Sequence, residues 1–156
     1  MNDFRIHRRL SDLPAAVWDA LHDGHNPFVA HGFLCGLEAT GCLRDDWGWT
    51  PLHLGLWEGE TLIAAAPGYL KTNSHGEFVF DQAWAQAYAQ HGLDYYPKWL
   101  CAAPYSPVTG PRLLARDEMA KRRLLEAITG FAGRSGLSSA HINFHDEAEE
   151  ALFGDD

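Results

Sequence analysis

Apolar residues at every second position mark the clearest strands of this chain. Residues 52–57, LHLGLW, place three leucines on one face of a strand and a histidine and a tryptophan on the other. The sequence EGE at residues 58–60 predicts a turn, and residues 62–66 are apolar on both faces, as in the middle of a covered sheet. Because proline has no amide hydrogen, Pro67 predicts a bulge or a break in strand pairing.

Apolar stripes at helical spacing predict helices between these strands. The strongest stripe lies between Asp117, which is placed to cap the helix, and Gly136. Asn26 followed by proline is typical of another helix start, and Asp81 is placed to cap a third helix. The segment SDLPAAVWDALHD, residues 11–23, predicts one more helix after a capping serine or aspartate.

The order of these elements predicts the fold class. Further strands are expected at residues 4–10, at the start of residues 97–111 and at residues 138–145. Strands that alternate with helices favour an α/β (α+β) domain, here residues 1–156, with a mixed central sheet flanked by helices. A last helix begins at Asp146, with Glu149 at the capping-box position, and the chain stops soon after it.

Composition narrows the class of protein. The chain has 46% hydrophobic residues and a formal net charge of −9, so it is globular and unlike a typical nucleic-acid binder. No apolar run is long enough for a membrane span, and the first residues do not resemble a signal peptide. The three cysteines cannot all pair with one another, which favours a reduced, cytoplasmic protein.

Common catalytic and metal-binding motifs are absent from the sequence. There is no glycine-rich phosphate loop, no GxSxG nucleophile elbow and no HExxH helix. His31 and Cys35 lie one helical turn apart, but no second pair of ligands accompanies them, so we expect no metal site.

The segment YLKTNSHGEFVFDQAWAQAY, residues 69–88, concentrates groups that could do acid–base chemistry. His75 and Glu77 flank a glycine that allows close approach of another part of the chain, and Asp81 follows near a helix start. The composition NSHG equally predicts an ordinary polar turn, and Asp81 equally predicts a simple helix cap.

A second candidate segment is the loop YSPVTGPRLL, residues 105–114. Its hydroxyl groups and the amide of Gly110 could hold the oxygens of a ligand, and Arg112 could pair with a phosphate or a carboxylate. A structural turn stiffened by two prolines is the alternative interpretation.

Four long stretches together resemble the FemAB-like branch of the acyltransferase superfamily that has the GNAT fold. They are NPFVAHGFLCGLEATG, YLKTNSHGEFVFDQAWAQAY, YYPKWLCAAPYSPVTGPRLL and GLSSAHINF, and they span most of residues 26–144. The resemblance implies a GNAT-like acyl-CoA N-acyltransferase fold in an N-terminal domain that is usually the first of two in tandem. It also implies a chain that ends before the last strands of that fold and that is inactive alone.

The resemblance further implies transfer of an acyl or aminoacyl group to an amine, possibly of a peptidoglycan precursor. Glu77 and His75 are then the candidate catalytic bases. The expected substrate-binding residues are Lys71, Asp81, Tyr105, Thr109, Gly110 and Arg112. The partner would be a small-molecule or muropeptide-type substrate, with acyl-CoA or aminoacyl-tRNA as possible co-substrate.

Two expectations qualify this picture. Asp117 stands where acyl-CoA-binding relatives place a glycine-rich pyrophosphate loop, so we expect no tightly bound cofactor. The alternative function is a non-catalytic domain that recognises a peptidoglycan-type ligand or a partner chain. A sheet edge left exposed at the end of the chain would then favour a homodimer.

Overall fold

The computed structural model describes residues 2–154, and in this range the chain forms eight strands, five α-helices and three short 3-10 helices. The strands are β1 (Asn2–His7), β2 (Trp49–Pro51), β3 (His53–Glu58), β4 (Thr61–Ala66), β5 (Gly68–Lys71), β6 (Lys98–Cys101), β7 (Leu114–Ala115) and β8 (Ala140–Ile142). The α-helices are α1 (Ala15–Asp19), α2 (His31–Ala39), α3 (Gln82–Gln90), α4 (Glu118–Arg134) and α5 (Glu147–Glu150). The 3-10 helices are Leu10–Asp12, Pro27–Val29 and Asp45–Trp47.

The strands form two four-stranded sheets, with the orders β1-β3-β4-β7 and β2-β5-β6-β8. All neighbouring strands are antiparallel except β6 and β8, which are parallel. The predicted α/β class, with a mixed sheet and flanking helices, is confirmed. The single central sheet expected from the sequence is divided into two.

The division occurs at Pro67, as its missing amide hydrogen predicted. Strand β4 ends just before Pro67 in the first sheet, and β5 begins just after it in the second. The buried imidazole of His53 accepts the amide hydrogen of Gly68 at 3.1 Å and donates to Glu38 at 2.8 Å. The second carboxylate oxygen of Glu38 accepts from the amide of Leu10, so one polar chain ties the break to the N-terminal segment.

Both faces of the first sheet are covered. The leucine face of β3 packs with α4 and with β6, whereas α1, α2 and the N-terminal 3-10 helix pack on the other face. This arrangement explains why β4 is apolar on both sides. The buried side chains on the α4 side of this sheet are Leu52, Leu54, Leu56, Ile63, Ala64, Ala66, Trp99, Cys101, Leu113, Ala120, Leu124 and Ile128.

The structure confirms one of the predicted helix starts and corrects two others. Asp117 caps α4 by accepting from the amide of Ala120 at 2.8 Å, as predicted. Asn26 caps the 3-10 helix Pro27–Val29 rather than α2, which begins later at His31. The helix predicted over residues 11–23 is a 3-10 turn followed by the short α1.

The capping box predicted for α5 is wrong. Asp146 does cap the helix, but the carboxylate of Glu149 is fully buried and accepts the amide hydrogens of Arg112 and Leu113. This carboxylate is directed at two backbone amides that lie 36 and 37 residues earlier in the chain, and not at the amide of Asp146.

Close packing at the sheet division generates a stability prediction. A Cβ atom on Gly68 would lie 2.4 Å from the indole ring of Trp99, so Gly68→Ala should lower the free energy of unfolding by about 1–3 kcal/mol through overpacking. A Cβ atom added to Gly36 of α2 would meet no atom from outside the helix backbone within 4 Å, so Gly36→Ala is the matched control and should raise stability by up to about 1 kcal/mol. Urea denaturation of both variants measures the difference, and equal effects would contradict the packing described for Gly68.

Candidate functional site

Two lysines lie directly opposite each other on the neighbouring strands β5 and β6. Lys71 and Lys98 are register partners, and both are 0% exposed. Like charges directly opposite each other destabilise an antiparallel pair, and a buried ammonium group requires a partner. The surrounding chain must therefore bring negative charge to this end of the second sheet.

Two carboxylates bring that charge to Lys98. Its Nζ atom lies 2.8 Å from Oε2 of Glu77 and 2.7 Å from Oδ2 of Asp81, and it also donates to the hydroxyl of Ser74. The hydroxyl of Tyr95 donates to the same Asp81 oxygen at 2.8 Å. We call this group the buried ionic cluster: Lys71, Ser74, Glu77, Asp81, Tyr95 and Lys98.

Asp81 is a member of the cluster and not a side-chain cap. It precedes α3, but its carboxylate makes no capping hydrogen bond, so the capping role predicted as the alternative is wrong. Desolvation acts to raise the pKa of Asp81, but hydrogen bonds from Lys98 and Tyr95 outweigh it and leave this pKa below its ordinary value. Asp81 is therefore the anionic partner of Lys98.

Glu77 differs from Asp81 in its environment. Its side chain is fully buried, and burial raises its pKa above the ordinary value despite the opposing effect of Lys98. Among the described residues, Oε1 of Glu77 and Oδ1 of Asp81 both lack a hydrogen-bond partner, so the raised pKa is what distinguishes Glu77. A carboxylate with a raised pKa and an unoccupied oxygen is suited to accept a proton from a bound substrate.

Lys71 forms no ion pair with a carboxylate of residues 2–154 and is held by an aromatic ring. Its Nζ atom lies 3.7 Å from the centroid of the Trp49 ring and donates to the carbonyl oxygen of His75 at 3.2 Å. The pKa of Lys71 is lowered to about 8, mainly by burial and also by the charge of Lys98, although Glu77 acts to raise it. This lysine therefore titrates much closer to neutral pH than an exposed one.

His75 contributes its backbone to the cluster. Its carbonyl oxygen accepts hydrogen bonds from Lys71 and from the indole of Trp49, whereas its side chain is exposed. The structure therefore places the imidazole on the outer surface of the turn, and the catalytic role of His75 stays a prediction.

Tyr105 is brought next to the cluster by Gly76. A Cβ atom on Gly76 would lie 2.6 Å from the Tyr105 ring, so glycine is needed there, and Gly76 also has a φ of +77°. The ring packs on Trp49 with centroids 5.1 Å apart, and the hydroxyl donates to the carbonyl of Cys42 at 3.0 Å. Tyr105 itself has a φ of +56°, a strained conformation for a bulky residue.

The other three candidate residues belong to a separate network. Thr109 and Gly110 are fixed by backbone contacts, with the amide of Gly110 donating to the carbonyl of Phe144 at 3.0 Å. The guanidinium group of Arg112 is fully buried and donates to the carbonyl oxygens of Val108, Pro111 and Asn143. A ligand would have to displace these carbonyls, so we leave Arg112 out of the buried ionic cluster.

Sequence reasoning missed the residue at the centre of the cluster. Lys98 stands in the short apolar strand KWLC, where a charged residue is unexpected and requires an explanation. The nearest acidic residues in the sequence, Asp94 and Asp81, lie on either side of α3, but only the structure shows which of them reaches the strand. The lysine within an apolar run was the available signal.

Two open pockets flank the exposed side of the turn that covers the cluster. One has a volume of about 350 Å³ and is lined by Asp46, Trp47, Trp49, Asn73, His75 and Tyr105. The other, of about 320 Å³, lies between Ser74 and Gln82. A larger pocket of about 450 Å³ lies between α4, β8 and Phe153, but its lining is mainly apolar and includes no residue of the cluster.

Residues 2–154 contain neither a metal-ligand group nor a membrane-spanning helix. No set of three or more histidine, cysteine, aspartate or glutamate side chains is grouped as a metal would require. None of the helices combines the length and the hydropathy that are needed to cross a bilayer.

Comparison with known proteins identifies one matching family. The model of the FemAB-like family, described as peptidoglycan biosynthesis/recognition, matches residues 9–156. No curated protein matches the chain significantly. A solved structure, the ribosomal-protein-alanine N-acetyltransferase from Brucella melitensis biovar Abortus 2308, is similar over 96% of this chain and 84% of its own, with 13% identity and a TM-score of 0.48. That likeness is too distant to carry an argument.

The environment of Lys71 generates a prediction on its ionisation. The chain has three lysines, so 13C-labelled lysine gives a simple NMR spectrum, and the Lys71 signal should titrate with a pKa of about 8. Because the Glu77 carboxylate favours the charged ammonium, Glu77→Gln should lower this pKa further. Glu60→Gln, an exposed change on the β3–β4 turn, is the control and should leave it unchanged. A Lys71 pKa at the ordinary value for lysine would contradict the buried position.

Proposed function

Because this chain belongs to the FemAB-like family, we propose that it is an N-acyltransfer domain whose acceptor amine reacts beside the buried ionic cluster. The observation that carries the proposal is the unpartnered Oε1 atom of Glu77, a buried carboxylate with a raised pKa. Transfer of an acyl or aminoacyl group to an amine needs a base of this kind, and the family's description points to a peptidoglycan-type acceptor.

The proposed reaction assigns each proton and bond. The nitrogen of the acceptor amine forms a bond to the acyl carbonyl carbon, and its surplus proton passes to the carboxylate of Glu77. The bond between the acyl carbon and its carrier then breaks, and the carrier leaves with the proton from Glu77, which restores the carboxylate. The Lys71 ammonium forms no ion pair with a carboxylate of the described residues, and it would stabilise the oxyanion that forms on the carbonyl oxygen.

Access to Glu77 requires movement of the turn above it. Residues 72–80 contain no regular secondary structure, and they are held to the sheet through Ser74, His75 and Glu77. We propose that substrate binding shifts residues 78–80, the part of the turn that follows Glu77, while Asn73 and His75 stay in place. Acyl-CoA and aminoacyl-tRNA are the donors to be compared, and the need for a further domain is part of the same proposal.

A second candidate function is supported by the closure of the cluster. Glu77 is only 3% exposed and Lys98 is 0% exposed, which is what a purely structural ion pair would show. In that case the domain recognises a peptidoglycan-type ligand on its surface without catalysing transfer.

A transfer assay separates the two candidates. The intact protein is incubated with a muropeptide that bears a free lysine amine and with either acetyl-CoA or aminoacyl-tRNA, and mass spectrometry detects the acylated product. Glu77→Gln should lower kcat at least about 100-fold with little change in KM, because it removes the base. Glu60→Gln should retain the full rate.

The pH profile provides the second measurement, in case Glu77→Gln fails to fold. Since the carboxyl group must be ionised to act as a base, the wild-type rate should fall in acid as Glu77 becomes protonated, at a pH above the ordinary pKa of glutamate. A Glu77→Gln variant with the full rate contradicts the proposed base. Muropeptide binding without product from either donor contradicts transfer and supports the recognition domain.

A further inference from the structure

We propose that the pocket beside the turn binds the pyranose ring of an uncharged amino-sugar, such as an N-acetylhexosamine unit of a glycan chain. The pocket is the one of about 350 Å³ lined by Asp46, Trp47, Trp49, Asn73, His75 and Tyr105. This inference rests on the proposed function and deepens it, because it names the part of the acceptor that the domain would grip.

Aromatic rings form the apolar part of the pocket. Trp47 is 50% exposed and Tyr105 is 37% exposed, whereas Trp49 is buried beneath them. A pyranose ring has a flat face of C–H groups, and the negative face of an aromatic ring attracts such weakly positive hydrogens.

Polar groups of the right kind surround these rings. Asp46 offers carboxylate oxygens, Asn73 an amide and His75 an exposed imidazole, and sugar hydroxyls can donate to or accept from all three. A few polar groups around an apolar floor are typical of sites for small neutral ligands. Asp46 and Arg44 neutralise each other beside the pocket, so this pair favours an uncharged sugar over a phosphate or another anion.

The pocket is already organised in the absence of a ligand. The Asn73 amide donates to the Trp47 carbonyl at 3.3 Å and accepts from the His75 amide at 3.0 Å, so it joins two walls of the pocket. A Cβ atom on Gly48 would lie 2.3 Å from this side chain, and glycine is therefore required for Asn73 to sit there.

Trp47 and Tyr105 are also held in position before a ligand binds. Arg44 lies 4.5 Å from the centre of the Trp47 ring and pairs with Asp46, which limits the movement of both. Tyr105 presents its ring from a left-handed backbone conformation, and such strained residues cluster at ligand sites. Both aromatic rings are therefore fixed in place, as in a preformed ligand pocket.

Binding of a peptide-free glycan tests the inference directly. The 15N-labelled chain is titrated with the N-acetylglucosamine trimer, and the indole N–H signals of its six tryptophans are followed by NMR. We expect saturable shifts of the Trp47 and Trp49 indoles. Trp47→Ala should weaken binding at least about 10-fold, since one stacking ring is lost.

Trp84→Ala is the matched control. Trp84 is 66% exposed, lies on α3 and does not line the pocket, so its removal should leave glycan affinity unchanged. Thermal melting of both variants verifies that each is folded. No saturable shift up to about 10 mM trimer, or equal affinity of Trp47→Ala and wild type, would overturn the inference.

Three parallel titrations identify other occupants. Maltotriose lacks the acetamido group, a muropeptide stem peptide lacks the sugar, and adenosine monophosphate is a stacking ligand with a phosphate. Stronger binding of any of these at the Trp47 indole than of the N-acetylglucosamine trimer overturns the assignment to an amino-sugar.

Failure of this inference is distinguishable from failure of the proposed function. Acyl transfer depends on Glu77, whereas glycan binding depends on Trp47, and the two assays use different variants. Loss of glycan binding together with intact Glu77-dependent transfer overturns only the sugar pocket. Loss of both glycan binding and transfer overturns the proposed function as well.

Discussion

The buried charge of Lys98 is the constraint on which the candidate site depends. An ammonium group removed from water is unfavourable by several kcal/mol unless it is paired, and here it also faces Lys71 across the strand pair. Glu77 and Asp81 satisfy it, and both come from the segment between β5 and α3. The ion pairs therefore decide where this otherwise irregular segment lies.

The position of this segment determines which groups contact Lys71, Trp49 and Tyr105. Once Glu77 reaches Lys98, the His75 carbonyl lies within reach of Lys71 and of the Trp49 indole. The Gly76 Cα then packs against the Tyr105 ring. One turn thus closes a buried polar cluster on its inner side and forms a wall of an aromatic pocket on its outer side. The proposed base and the proposed sugar pocket therefore lie on opposite sides of one turn.

The two-sheet architecture brings these groups to one end of the molecule. Pro67 ends the pairing of β4, and β5 then continues in the second sheet beside β6. His53 stabilises the break by accepting the amide hydrogen of Gly68, and Glu38, which accepts from His53, also accepts the amide hydrogen of Leu10 in the N-terminal 3-10 helix. The hydrogen-bonded chain of His53 and Glu38 thus stabilises the fold, whereas the buried ionic cluster forms the candidate site.

Local pattern predicted much of the fold, because strand alternation, turn glycines, Pro67 and the Asp117 cap act between neighbouring residues. The candidate site was predicted less completely. Glu77 and Lys71 were named, and the structure brings them together, but Lys98 was missed because its partners lie 17 and 21 residues away. Arg112 attracted attention as a ligand for anions, yet its donors are occupied by carbonyls that only the folded loop provides.

Hydrogen exchange on a Lys98 variant tests the central claim most directly. Lys98→Met leaves Glu77 and Asp81 without their shared cation, whereas Lys121→Met, on α4, removes the only lysine outside the pair. The account predicts faster amide exchange across residues 74–81 in Lys98→Met, with β3 and β4 still protected, and no change there in Lys121→Met. Unchanged protection of residues 74–81 in a folded Lys98→Met protein would contradict it.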